Sequence, residues 1–216
     1  MKKGLTELVF ILDKSGSMSG TESDTIGGYN AMLDKQKSVE GECRITTVLF
    51  DNTYELLHDR LDIHAVSPIT DQEYQVGGST ALLDAIGRTI NKIGRVQKYT
   101  ANDFRAEQVM FVIITDGEEN ASREFSAGMI KQMIEHKKAR YGWEFIFLGA
   151  NIDAAVTANR FGISADRAQN YHADSEGVQL NFRVMSETVA TYRERKIMPD
   201  GWNKDIQKDY KRRGKS

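Results

Sequence analysis

Three short segments of this 216-residue chain carry oxygen donors at spacings that could serve an ion. The first is Asp13-Lys14-Ser15-Gly16-Ser17, one carboxylate and two hydroxyls separated by a lysine and a glycine. The second is Gly77-Gly78-Ser79-Thr80, a flexible loop with a hydroxyl just ahead of Ala81-Leu82-Leu83-Asp84. The third is Thr115-Asp116-Gly117, a second carboxylate. Hydroxyls and carboxylates are hard donors and suit Mg²⁺, Mn²⁺ or Ca²⁺ rather than zinc or copper. Two carboxylates with three neutral hydroxyls carry little negative charge, so they would leave a divalent cation electrophilic and its shell unfilled by protein atoms. Such a site can accept an oxygen from another molecule. The small coordination number and the hydroxyls favour Mg²⁺, with Mn²⁺ and Ca²⁺ as alternatives. Gly16 is expected to let the backbone bend so that both serine hydroxyls face inward.

The elements needed to bring these segments together can be read from the apolar pattern. Short β-branched or aromatic runs lie at Leu8–Leu12, Ile45–Phe50, Val109–Ile114 and Trp143–Leu148. Runs that are apolar on both faces fit strands covered by helices on each side. Helical spacing is found over 23–39 (Ile26, Tyr29, Met32, Leu33), 80–95 (Leu82, Leu83, Ile86, Ile90, Ile93) and 126–140 (Met129, Ile130, Met133, Ile134). Segments 152–161 and 175–195 read as two more helices. Alternating strands and helices predict a doubly wound α/β sheet with right-handed crossovers. One pair departs from that alternation: Asp51-Asn52-Thr53 between 44–50 and Tyr54–Leu57 reads as a hairpin, placing an antiparallel strand at the sheet edge. Residues 95–107 read as a loop or a helix extension. In an open α/β sheet, ligands bind beyond the carboxyl ends of the strands. Asp13 and Asp116 stand at two such ends.

Asp-x-Ser-x-Ser at 13–17, Gly-Ser-Thr-Ala-Leu-Leu-Asp at 78–84 and Ile-Thr-Asp-Gly at 114–117 resemble the metal-ion-dependent adhesion site of von Willebrand factor type A domains. The likeness covers roughly residues 5–195, with all five motif positions in the family's chain order. It implies a Rossmann-like, mostly parallel six-stranded sheet with one short antiparallel edge strand and helices on both faces. It implies that Ser15, Ser17 and Thr80 ligate the metal, while Asp13 and Asp116 ligate it directly or hold its waters. It gives Asp84 a supporting role, and Gly16 and Gly117 places beside the ligands. The function implied is non-catalytic: a partner protein supplies an acidic side chain that completes the coordination. Bacterial and phage stand-alone relatives suggest an AAA+ ATPase of MoxR type as one such partner.

Composition narrows the remaining classes. With 29 basic and 31 acidic residues, the chain has no bulk attraction for nucleic acid or anionic lipid. No run approaches a membrane span, and the start Met1-Lys2-Lys3 ahead of a short run ending in Asp13 reads as a strand rather than a leader. The expected location is the cytoplasm. The single cysteine, Cys43, excludes an intramolecular disulfide and reads as a buried strand residue. The domain is expected over 1–198, with a polar, basic tail over 199–216, frayed from 211 and anchored by Trp202 and Tyr210. Two other functions fit parts of the sequence less well. A phosphohydrolase would use Asp13 as nucleophile, but that chemistry wants a second aspartate where Ser15 stands. An RNA-binding module has only the basic stretch Lys208–Lys215 in its favour. A purely structural metal is a further alternative. Several flanking residues read as structural: Lys14 and Glu118-Glu119 as solvated, Asn151 and Asp153 as rim or helix caps, Gly27-Gly28 as close packing on the sheet or a delayed helix start, and the four histidines as surface or structural.

Overall fold

The computed structural model describes residues 1–214. Six strands form one sheet: β1 (Lys2–Asp13), β2 (Cys43–Phe50), β3 (Tyr54–Asp62), β4 (Ala106–Thr115), β5 (Glu144–Gly149) and β6 (Ala168–Asn170). Their order is β3-β2-β1-β4-β5-β6. All neighbours are parallel except β2 and β3, which pair antiparallel as the hairpin at 51–53 predicted. Pairing Asp13 with Phe50 on one side and Leu12 with Ile114 on the other puts β1 at the centre. From β1 the chain winds outward to β3, then returns to build β4, β5 and β6 on the other side. The reversal falls between β1 and β4. In doubly wound sheets that crevice, at the carboxyl ends, is where ligands bind.

Alternation along β1 explains why its sequence is apolar throughout. Leu8, Phe10 and Leu12 enter one core layer, and Val9 and Ile11 enter the other. The first layer is closed by α1 (Glu22–Lys37) and α5 (Ser175–Arg195), and the second by α2 (Leu82–Tyr99), α3 (Ala127–Tyr141) and α4 (Ala154–Arg160). Leu82, Ile86, Ile90 and Ile93 of α2 are fully buried, as their spacing requires. Met129 is not part of the core: it is exposed on α3, and Ile130 and Ile134 carry that helix's contact. Residues 95–99 extend α2, and a short 3₁₀ turn at Asn102–Phe104 leads into β4. Cys43 is buried on β2, and burial pushes its thiol up to about 12. At neutral pH it is an unreactive apolar filler.

The paired glycines of α1 play different parts. The helix starts at Glu22, so its start is not delayed, and the close contact is with α5 rather than with the sheet. A Cβ on Gly28 would lie 2.6–2.8 Å from the Phe182 side chain, whereas one on Gly27 would meet nothing within 4 Å. Gly27→Ala is therefore expected to stabilise the protein by up to ~1 kcal/mol through helix propensity. Gly28→Ala is expected to destabilise it by about 1–3 kcal/mol through overpacking. Denaturation midpoints of the two variants moving in opposite directions would show this; equal shifts would contradict the packing.

Beyond Met198 the polar, basic tail forms a further helix, α6 (Lys204–Arg213), which continues over 211–213, where fraying was expected. Trp202 and Ile206 are buried in the same layer as α1 and α5, and the Trp202 indole N–H donates to the Asp166 carbonyl at 2.9 Å. Tyr210 stacks on His172 with ring centroids 4.8 Å apart. Lys211, Arg212 and Arg213 are helical, and Lys215 and Ser216 lie outside the described residues. No helix among the described residues is long and apolar enough to cross a membrane.

Candidate metal centre

Asp13 is the last residue of β1, and its carboxylate is bonded on both oxygens. The Ser15 amide donates to Oδ1 at 2.7 Å, and the Thr115 hydroxyl donates to Oδ2 at 2.5 Å. Thr115 ends β4, so this bond ties the two strand ends across the switch point. The chain then turns through a 3₁₀ segment, Gly16–Met18, which brings the Ser15 and Ser17 hydroxyls 3.2 Å apart. Ser17 in turn donates to Asp116 Oδ1 at 2.5 Å. Gly16 does not adopt a left-handed conformation; the 3₁₀ turn does the bending, and Gly16 lies against the Gly78 carbonyl, which accepts its N–H at 3.1 Å.

The Thr80 loop is fixed from three sides. Gly77 donates to the Lys14 carbonyl at 2.9 Å, and Ala81 donates to the Asp51 carbonyl at 2.8 Å. The Thr80 amide donates to Asn120 Oδ1 at 2.9 Å, and its carbonyl accepts from the Asn120 and Ala121 amides. Gly78 has φ +71°, a conformation that favours glycine, and a Cβ there would displace the exposed Asn52 side chain. Gly117 marks where the segments meet. A Cβ on it would stand 3.2 Å from Ser17 Oγ and 3.7 Å from Thr80 Oγ1. The five residues picked from sequence thus fall into one cluster, and Asp13, Ser15, Thr80 and Asp116 in it are buried while Ser17 is exposed.

The electrostatics of this cluster favour a cation. Burial raises the Asp116 pKa to about 6, with the Asp13 charge adding to the rise and the Ser17 hydrogen bond opposing it. Burial also raises the Asp13 carboxyl, against the hydrogen bonds from Ser15 and Thr115. Among the described residues, neither carboxylate forms an ion pair. Lys14 is the nearest cation in sequence, yet its ammonium is drawn to Glu55, 2.8 Å away, and is largely buried rather than solvated. Two buried carboxylates and three hydroxyls without a positive countercharge are the donor set a hard divalent cation fits.

Residues that sequence reasoning passed over hold this cluster in place. The Tyr74 hydroxyl donates to the Asp13 carbonyl at 2.5 Å, and that of Tyr171 to the Thr115 carbonyl at 3.3 Å. Both tyrosines are buried beneath the strand ends. Asn151, at φ +55°, donates to the Asp116 carbonyl at 3.1 Å, so it lines the rim, while Asp153 caps α4. Glu119 is not a solvated turn residue. Its carboxylate accepts from the Leu83, Ala121 and Ser122 amides and so caps the first turn of α2. Glu118 alone of the pair is exposed. Asp84 accepts from the amides of Arg123, Glu124 and Phe125, each at 2.9 Å. Its support is thus to the loop that follows Asp116. Single aspartates give no sequence signal for such contacts, because the partners are backbone amides some 40 residues away.

No protein-family model and no curated protein matches this chain. Solved structures do. A von Willebrand factor type A protein from Catenulispora acidiphila superposes with a TM-score of 0.60 at 14% identity, over 86% of this chain and 42% of that one. The D319A mutant of the PilB minor pilin from Streptococcus sanguinis gives 0.60 at 12% identity, over 86% and 61%. Proximal thread matrix protein 1 from the mussel byssus, in a form with a zinc-occupied metal-ion-dependent adhesion site, gives 0.58 at 11% identity, over 86% and 46%. The chain spans 42–61% of the length of these three structures. Strand order, the antiparallel edge strand and these superpositions together give the chain the fold of a von Willebrand factor type A domain.

Proposed function

We propose that this chain is a non-catalytic, divalent-metal-dependent protein-binding module that works with Mg²⁺. The observation that carries the reading is the meeting of Ser15, Ser17, Thr80, Asp13 and Asp116 at the switch point with, among the described residues, no cationic side chain paired to either carboxylate. Ser15, Ser17 and Thr80 offer hydroxyl ligands, and Asp13 and Asp116 offer carboxylates to the ion or to its waters. An Mg²⁺ held there would supply an electrophilic position for an anionic oxygen. The complementary group on a partner is an aspartate or glutamate side chain. The zinc-occupied site of the mussel protein supports metal occupancy at this place in the fold. A phosphohydrolase with Asp13 as nucleophile would need an acid two residues on, where Ser15 stands.

The test is capture of a partner from the native host extract by the immobilised chain. A protein retained in Mg²⁺, released by chelator and absent from an Asp13→Ala column is the expected result. Retention unchanged by chelator and by the substitution would overturn the metal-bridged mechanism.

A further inference from the structure

The end of the sheet opposite the metal centre carries a second concave site. At the amino ends of β4 and β5, between the carboxyl-terminal ends of α2 and α3, lies a cavity of about 320 Å³. That is the size range of small-molecule pockets, which pair an apolar lining with a few polar groups. Its wall includes Val109, Tyr141 and Trp143. Trp143 is buried and stacks on Phe111, while Tyr141 keeps about half of its surface exposed.

Four cations line the same cavity: Lys98, Arg105, Lys137 and Arg140. Among the described residues none of them forms an ion pair. Glu107, the acid in the lining, is already engaged by Lys196 at 2.8 Å and by the Gly4 amide at 2.8 Å. Arg105 uses one terminal nitrogen on the Lys98 and Thr100 carbonyls, and among the described residues its other terminal nitrogen has no hydrogen-bond partner. The Lys137 ammonium sits 4.9 Å from the Trp143 ring centre and 5.1 Å from that of Tyr141. It fits because position 94 on α2 is glycine: a Cβ there would lie 2.8 Å from Nζ. Burial lowers the Lys137 pKa. The partly desolvated Lys137 ammonium and the unengaged terminal nitrogen of Arg105 are what a phosphate would satisfy, through charge-assisted hydrogen bonds. A monoester carries close to two negative charges at neutral pH, which matches several unpaired cations better than a carboxylate does.

We propose that this cavity binds a small aromatic phosphomonoester, with the phosphate on Lys137 and Arg105 and the ring against Tyr141. A nucleoside monophosphate and a phosphotyrosine side chain share this chemistry. The test is calorimetric titration of the whole chain, in chelator and at low salt, with AMP, phosphotyrosine, adenosine and inorganic phosphate. Saturable binding of AMP or phosphotyrosine, at least tenfold tighter than adenosine and inorganic phosphate, is expected; which of the two binds tighter names the source. Lys137→Gln and Arg105→Gln should each weaken it about tenfold or more. Lys137→Gln leaves the Arg105 contacts with the backbone in place, so its melting temperature is expected to stay at the wild-type value. No saturable binding of either aromatic phosphate would overturn the proposal. So would inorganic phosphate binding as tightly as they do, or Lys137→Gln binding like wild type.

Discussion

Asp116→Asn is expected to abolish measurable Mg²⁺ binding while making the metal-free protein more stable. The two effects share one cause. The Asp116 carboxylate is buried beside Asp13, and its pKa is raised from the usual value to about 6. As pH rises from about 4 to about 6, the unfolded chain releases this proton before the folded chain does. The group therefore subtracts from stability above that window and is neutral below it. Asparagine keeps an oxygen for the Ser17 hydroxyl and removes the charge. A gain on the order of 1–2 kcal/mol at pH 7.5 follows from the shift. For a chain of this length that is a rise in melting temperature of about 2–8 °C in chelator. Thermal scans in chelator at pH 7.5 and pH 4, alongside Mg²⁺ calorimetry, check it. The stability gain should fade toward pH 4. A variant that is destabilised in chelator, or that still binds Mg²⁺ like wild type, would place Asp116 in the framework rather than in the site. Residues that serve a ligand commonly weaken the fold that holds them.

The largest loss of stability is expected from Asp84→Ala. This carboxylate is buried at the start of α2 and accepts from three successive amides, those of Arg123, Glu124 and Phe125. Removing it leaves three N–H groups without acceptors, at roughly 1 kcal/mol or more each. A loss of about 3 kcal/mol, or roughly 10 °C in melting temperature, follows. The same loop places Asn120 against the Thr80 amide and begins at Asp116, so the variant should also bind Mg²⁺ about 10- to 100-fold more weakly. Asp84→Asn retains one acceptor oxygen and should recover part of both losses. Urea denaturation with Mg²⁺ titration separates the outcomes. Wild-type metal affinity in a destabilised Asp84→Ala protein would show that the loop does not position the site.

The metal cluster was legible because two of its segments follow strands whose apolar runs are continuous, the third is a glycine-rich loop just ahead of a helix, and strand ends in this topology meet at one edge. The hairpin at 51–53 was legible from local turn chemistry. Strand β6 was not located, because Ala-Gln-Asn carries no apolar pattern. It pairs with β5 through only three registered positions, and its place is set by the backbone ladder. Helix α6 was hidden by its charge: its burial rests on Trp202 and Ile206, too few apolar positions to stand out in a basic stretch. Its Arg213 pairs with Asp209 one turn back and with Asp174 at the start of α5, and the second of these is a contact of tertiary structure. Lys14 was misread for the same reason. Its partner, Glu55, lies on the edge strand, and only the antiparallel pairing of β2 with β3 brings that residue near. Tyr74 and Tyr171 gave no signal, since a buried tyrosine reads as core until the acceptor of its hydroxyl is known.

The most direct measurement of the central claim is an anomalous difference map from a crystal of the whole chain grown with Mn²⁺, which has the same hard-donor preference as Mg²⁺. The predicted result is a single strong peak about 2.1–2.2 Å from the hydroxyl oxygens of Ser15, Ser17 and Thr80, with Asp13 and Asp116 bound to the ion directly or through water. A Mn²⁺ peak elsewhere on the molecule, or none at this cluster at millimolar Mn²⁺, would contradict it.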